Sequence, residues 1–75
     1  MLNVRHLEVF RAVMRTGSVT GAARTLRVSQ PAVTKSLQLL EGRIGLSLFT
    51  RIKGRLQCTP EAEALLPEIE RVFGT

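Results

Sequence analysis

Between Ser18 and Leu37 the chain reads Ser-Val-Thr-Gly-Ala-Ala-Arg-Thr-Leu-Arg-Val-Ser-Gln-Pro-Ala-Val-Thr-Lys-Ser-Leu, with two helix starts, Ser18 and Ser29, eleven residues apart. If Val33 centres the buried face of the second helix, Leu37, Leu40 and Ile44 fall within about 40° of it at 100° per residue. The opposite face then holds Pro31, Thr34, Lys35, Gln38 and Gly42. These groups can donate and accept hydrogen bonds and carry one positive charge. They suit contact with base edges and phosphates, not bond-making chemistry. Two short helices joined by a tight turn form a helix-turn-helix, whose second helix fits the major groove of DNA.

Catalytic alternatives find no support. No Ser/His/Asp, Cys/His, metal-ligand or Gly-rich phosphate arrangement occurs, and seventy-five residues leave little room for a substrate pocket. His6 has no partner at ligand spacing and is expected on the surface. Cys58 alone can form neither an internal disulfide nor a metal cluster, and small packing is its expected role. Neither a cofactor nor a metal is expected. Glu61, Glu63, Glu68 and Glu70 suit a helix dipole and solubility rather than paired acid–base work.

The charge is segregated. Between Arg11 and Arg55 stand nine Lys or Arg and a single acid, Glu41, whereas Leu56 to Thr75 holds four Glu and one Arg. Clustered cations with a pI near 11.2 are the footprint of a polyanion binder. No apolar run approaches the ~18 residues of a membrane span, and no signal-peptide pattern opens the chain, so a soluble, cytoplasmic, nucleoid-associated protein is expected.

The elements that must position the groove-facing helix follow from caps and periodicity. Helix 1 is expected from Val4 to Thr16, capped by Asn3 and Gly17, with Leu7, Phe10, Val13 and Met14 on one face and Val9 broadening it. Helix 2 starts at Ser18, whose hydroxyl accepts from Thr20 or Gly21. Ala22, Ala23 and Leu26 face inward, and Gly21 admits a phosphate or a neighbouring backbone. Helix 3 starts at Ser29, with Gln30 and Pro31 in its first turn, and runs to about Arg43, stopping near Gly45; residues 30–43 are the expected groove-facing helix. Leu39 lies off both faces and packs under the next loop or against a partner. Two extended runs, Leu48 to Ile52 and Leu56 to Cys58, flank Lys53-Gly54-Arg55 and predict a hairpin with a cationic tip. Thr59 and Pro60 open a last helix. Its stripe of Ala62, Leu65, Leu66, Ile69, Val72 and Phe73 needs a cover, part from helix 1 and part from a second copy, and Pro67 is expected to bend it. The expected fold class is mainly α: a winged helix-turn-helix of three helices and a short β-hairpin wing, plus a C-terminal linker or dimerisation helix. Residues 1–58 form the DNA-binding domain (helix-turn-helix 18–37, wing 48–58), and residues 59–75 begin the linker helix.

The ordered pieces L-E-V-F, G-S-V-T-G-A-A-R-T-L, V-S-Q-P-A-V-T-K-S-L-Q-L-L-E and L-F-T-R, then a Thr-opened helix, cover about residues 4 to 73. In that order and spacing they resemble the N-terminal DNA-binding domain of LysR-type transcriptional regulators of bacteria. The resemblance implies double-stranded DNA as the partner, an interrupted palindromic operator, and a homodimer paired through Leu65, Leu66, Ile69, Val72 and Phe73. It also implies a larger effector-binding domain, absent here, which would take the small-molecule effector; the chain is thus expected to be the DNA-binding portion. Gln30, Pro31, Thr34, Lys35 and Gln38 match positions that contact bases. Gln suits adenine, Lys suits guanine or a phosphate, and Thr offers a methyl to thymine. Ser18, Thr20, Arg24, Arg27 and Ser29 are phosphate candidates, both serines also being helix caps. Arg51, Lys53 and Arg55 are wing candidates. Arg55 or Lys53 enters the minor groove, while Arg51 either pairs with Glu41 or holds a phosphate. The tip order Lys53-Gly54-Arg55 departs from the family's common Arg-Arg-Gly, and Ala62 stands where Gly is usual.

Two further readings are a protein-interaction module built on the last helix and an architectural binder without sequence preference. Lys35 set opposite the Val33/Leu37/Leu40 stripe disfavours the first, because a pure interaction domain gives no reason for it.

Overall fold

The computed structural model describes residues 3–74. Helix α1 spans Val4–Thr16. The Asn3 side chain accepts from the Arg5 amide at 2.8 Å, and Gly17 closes the helix at φ 80°, its N–H donating to the Val13 carbonyl. Helix α2 spans Val19–Leu26 and α3 spans Gln30–Ile44. The Ser18 hydroxyl accepts from the Gly21 amide at 2.8 Å and the Ser29 hydroxyl from the Ala32 amide at 3.2 Å, so both serines cap as expected. Between these two helices Arg27 takes a left-handed conformation, φ 58°. Strands β1 (Phe49–Ile52) and β2 (Arg55–Cys58) pair antiparallel, from Phe49 opposite Cys58 to Ile52 opposite Arg55. Helix α4 spans Pro60–Val72 without interruption at Pro67, and its Thr59 cap accepts from the Ala62 amide.

The core lies where α1, α2 and α3 meet. Phe10, Val33 and Leu40 are fully buried, and Ala22 and Ala23, both buried, keep α2 close to its neighbours. Leu48 plugs the core just before β1, and Ala62 and Ile69 of α4 belong to the same buried cluster. The Phe10 and Phe49 rings pack at 5.8 Å, tilted by 54°, tying the hairpin to α1. Among the described residues no helix is long and apolar enough to cross a membrane.

Several expectations need correction. The hairpin turn is two residues, Lys53 and Gly54, both left-handed at φ 52° and 77°; Arg55 is therefore the first residue of β2 and not part of the tip. Paired left-handed residues match the right-handed twist of the strands, which selects a two-residue turn. Leu39 does not pack under the next loop; it is 48% exposed. Gly21 makes room for the Thr16 side chain, since a Cβ there would lie 2.8 Å from Thr16 Cβ. Cys58 is exposed rather than packed, its Sγ 3.7 Å from a Glu63 carboxylate oxygen. His6 is half-buried. Of the apolar stripe on α4, Ile69 is only 3% exposed within its own chain, and Leu65, Leu66 and Phe73 pack partly against the core. Val72 alone stands largely open, at 63%.

Candidate nucleic-acid interface

An open concave surface of about 1060 Å³ runs from the start of α2 across α3 to the hairpin. Three elements build it. The first turn of α2 brings Ser18, Val19 and Thr20; α3 brings Gln30, Pro31, Thr34, Lys35, Gln38 and Leu39; the hairpin brings Arg51, Gly54, Arg55 and Leu56. The α3 residues reach it because Val33, Leu37 and Leu40 fix the opposite side of the helix in the core. Gln30, Pro31, Thr34, Lys35 and Gln38 are all exposed. A helix ~10–12 Å across with its side chains matches the ~12 Å width of the B-DNA major groove.

Nine of the residues singled out from the sequence line this surface: Ser18, Thr20, Gln30, Pro31, Thr34, Lys35, Gln38, Arg51 and Arg55. Arg24, Arg27, Ser29 and Lys53 are exposed but lie outside it. Val19, Leu39 and Leu56 line it without having been expected. Reading every apolar residue as core or partner contact hides such groups, although Leu39 falls one turn plus one residue beyond Thr34 and could have been placed on the rim. An exposed leucine beside Gln38 offers a methyl-rich contact of the kind a thymine methyl accepts.

The hairpin's place is set by α3. The Glu41 carboxylate accepts from the Leu48 and Phe49 amides at 2.6 and 3.1 Å. With both amides on this carboxylate, the alternative pairing of Arg51 with Glu41 does not form. Arg51 instead reaches the Gly54 carbonyl at 3.4 Å, leaving its guanidinium beside the turn. Thr59 adds a second tether, donating from its hydroxyl to the Ser47 carbonyl at 2.7 Å and from its amide to the Leu48 carbonyl at 2.9 Å. Among the described residues no group of three or more His, Cys, Asp or Glu could hold a metal ion.

Residues 4–63 match the family model described as bacterial regulatory helix-turn-helix protein, lysR family. The chain is 47% identical over 72 residues to the HTH-type transcriptional regulator DgcR of Pseudoalteromonas sp, covering 96% of this chain and 25% of that protein. It is 47% identical over 70 residues to the transcriptional activator protein LysR of Escherichia coli K12, covering 93% and 22%. It thus spans about a quarter of the length of these curated relatives. Among solved structures it superposes on a CbnR_DBD–DNA complex with a TM-score of 0.88 at 34% identity, over 95% of this chain and 82% of that one. A BenM_DBD/catB site 1 DNA complex gives 0.87 at 31%, over 95% and 80%.

Proposed function

The chain belongs to the lysR family of bacterial regulatory helix-turn-helix proteins, and from that premise we propose that it binds operator DNA sequence-specifically as the DNA-binding part of a transcription regulator. The observation that carries this reading is the open concave surface joining the start of α2, α3 and the hairpin. Helix α3 enters the major groove, with Gln30, Thr34 and Lys35 reading base edges, Gln38 and Leu39 at the rim, and Pro31 against a thymine methyl or sugar. The free amides at the starts of α2 and α3, with Thr20, Arg24 and Arg27, hold phosphates and fix the register. The hairpin approaches the adjacent minor groove, Lys53 from its apex and Arg55 from the side that lines the concave surface. The protein acts in the cytoplasm, where the DNA is.

Two copies pair through α4. Ile69 is committed to its own chain's core, so the pairing edge is Leu65 and Val72, seven residues apart and therefore on one side of the helix. Pairing sets two α3 helices in successive major grooves, about 34 Å apart, and calls for an interrupted near-palindrome.

Exchanging Gln30 and Lys35 together for alanine tests the base-reading assignment. At about 1–3 kcal/mol for each base contact, specific affinity should fall at least ~30-fold. The melting temperature and the residual salt-dependent binding should stay close to wild type. Undiminished binding to the selected site would remove α3 as the reading helix. A selection from random duplexes that returned no preferred sequence would leave only an architectural binder.

A further inference from the structure

Helix α4 is held to the rest of the chain at two ends of very different character. Its start is tied by neutral hydrogen bonds: the Thr59 hydroxyl and amide donate to the Ser47 and Leu48 carbonyls in the loop before β1, and Ala62 is buried beneath. Its far end is gripped by charge. Glu70 accepts from Arg11 Nε at 2.5 Å with one oxygen and from Arg15 Nη2 at 2.9 Å with the other. The Arg11 guanidinium also lies over the Phe73 ring, 5.0 Å from its centre. Arg11 and Arg15 sit one helical turn apart on α1, so the two oxygens of one carboxylate bridge a full turn of that helix.

The apolar contacts of Ile69 and Phe73 would keep α4 against α1 without this grip, but burial is non-directional and tolerates a slide. A carboxylate held through both oxygens fixes direction as well as proximity. With Thr59 as the pivot, Glu70 acts at the end of a lever of about 16 Å, eleven residues at 1.5 Å each. A slip of about 1.5 Å at Glu70 turns the helix by roughly 5°; over the ~34 Å between paired recognition helices that moves one of them by about 3 Å, near one base-pair step.

We propose that Glu70, gripped by Arg11 and Arg15, is a positioning residue that sets the half-site spacing a pair of chains accepts. This rests on the paired, DNA-binding reading given above. Glu70 touches no DNA; it acts through the angle at which α4 leaves the DNA-binding body.

The test takes the half-site selected by the chain from random duplexes. Binding is then measured to one half-site alone and to inverted pairs whose separation changes by one base pair at a time. Wild type should favour one separation by about tenfold or more over those two base pairs away. Glu70→Gln should bring all separations within about threefold while affinity for the single half-site stays within about twofold. Arg15→Gln, which removes one half of the grip at a side chain already half exposed, should give an intermediate profile. It carries the test by itself if Glu70→Gln fails to fold. A merely structural ion pair would change thermal stability and leave the spacing profile alone, so an unchanged profile in the folded variants overturns the proposal. A wild-type chain indifferent to separation overturns the paired reading itself.

Discussion

The Glu41 carboxylate accepts the Leu48 amide at 2.6 Å, joining the last third of α3 to the residue just before the hairpin. The same carboxylate accepts the Phe49 amide. Glu41→Ala would strand two part-buried amides at a cost of about 1–3 kcal/mol. In a chain of this size each kcal/mol lowers the melting temperature by roughly 4–8 °C. Glu41→Gln keeps one acceptor oxygen and should lose less. Thermal unfolding of the two variants checks the order, and equal loss in both would show that the amides are not what Glu41 serves.

Gly21 sits inside α2, where alanine is the better helix former by about 1 kcal/mol. Gly21→Ala should nevertheless destabilise. The added Cβ would lie 2.8 Å from Thr16 Cβ and 3.0 Å from the Ser18 hydroxyl, the oxygen that caps α2. Neither atom is the free end of a long side chain, and forcing a packed site of this kind costs typically ~1–3 kcal/mol. Denaturant unfolding gives the sign directly, and a gain in stability would refute the close approach.

Lys53 stands at φ 52° in a turn that favours asparagine. Lys53→Asn should therefore raise stability by up to about 1 kcal/mol. It should also weaken DNA binding and, if Lys53 meets a phosphate, flatten the slope of log affinity against log salt by about one. Arg55→Ala should weaken binding with no gain in stability. Melting curves and titrations across a salt series separate the two positions; a Lys53→Asn variant with unchanged affinity would leave Arg55 as the wing's cation.

Ile69 and Val72 lie three residues apart on α4 and should respond to alanine differently. Ile69 is buried, so Ile69→Ala should cost about 2–5 kcal/mol through the cavity it leaves. Val72 is open in the single chain, so Val72→Ala should leave its fold intact and weaken self-association alone. Sedimentation beside thermal unfolding resolves both, and a Val72 variant that pairs like wild type would move the pairing edge elsewhere.

The helices were legible in the sequence because their signals are local. Asn3, Ser18, Ser29 and Thr59 cap where a short polar side chain precedes a periodic run, and the Val33/Leu37/Leu40 stripe alone tells which side of α3 faces out. The hairpin was legible in kind but not in register. Lysine carries no sign of a left-handed turn, so only the pairing of Ile52 with Arg55 reveals that Arg55 has left the tip. The partners of Glu41 and Glu70 were not legible at all. Glu70 finds Arg11 and Arg15 across 59 and 55 residues, and no spacing rule reaches that far. At the candidate interface the polar residues were readable by type. Val19, Leu39 and Leu56 were not, because an apolar side chain in sequence reads as core until the surface is seen.

Ala62 and Ile69 bury themselves in the same cluster as Phe10 and Leu40. Helix α4 is therefore no detachable arm, whatever it does with a second copy. Peeling it away would open the core that α1 and α3 share with it, so the two should melt as one cooperative unit, with amide exchange in α4 following exchange in α1. A displacement imposed on α4 would therefore have to be absorbed by the same packing that holds α3 in place.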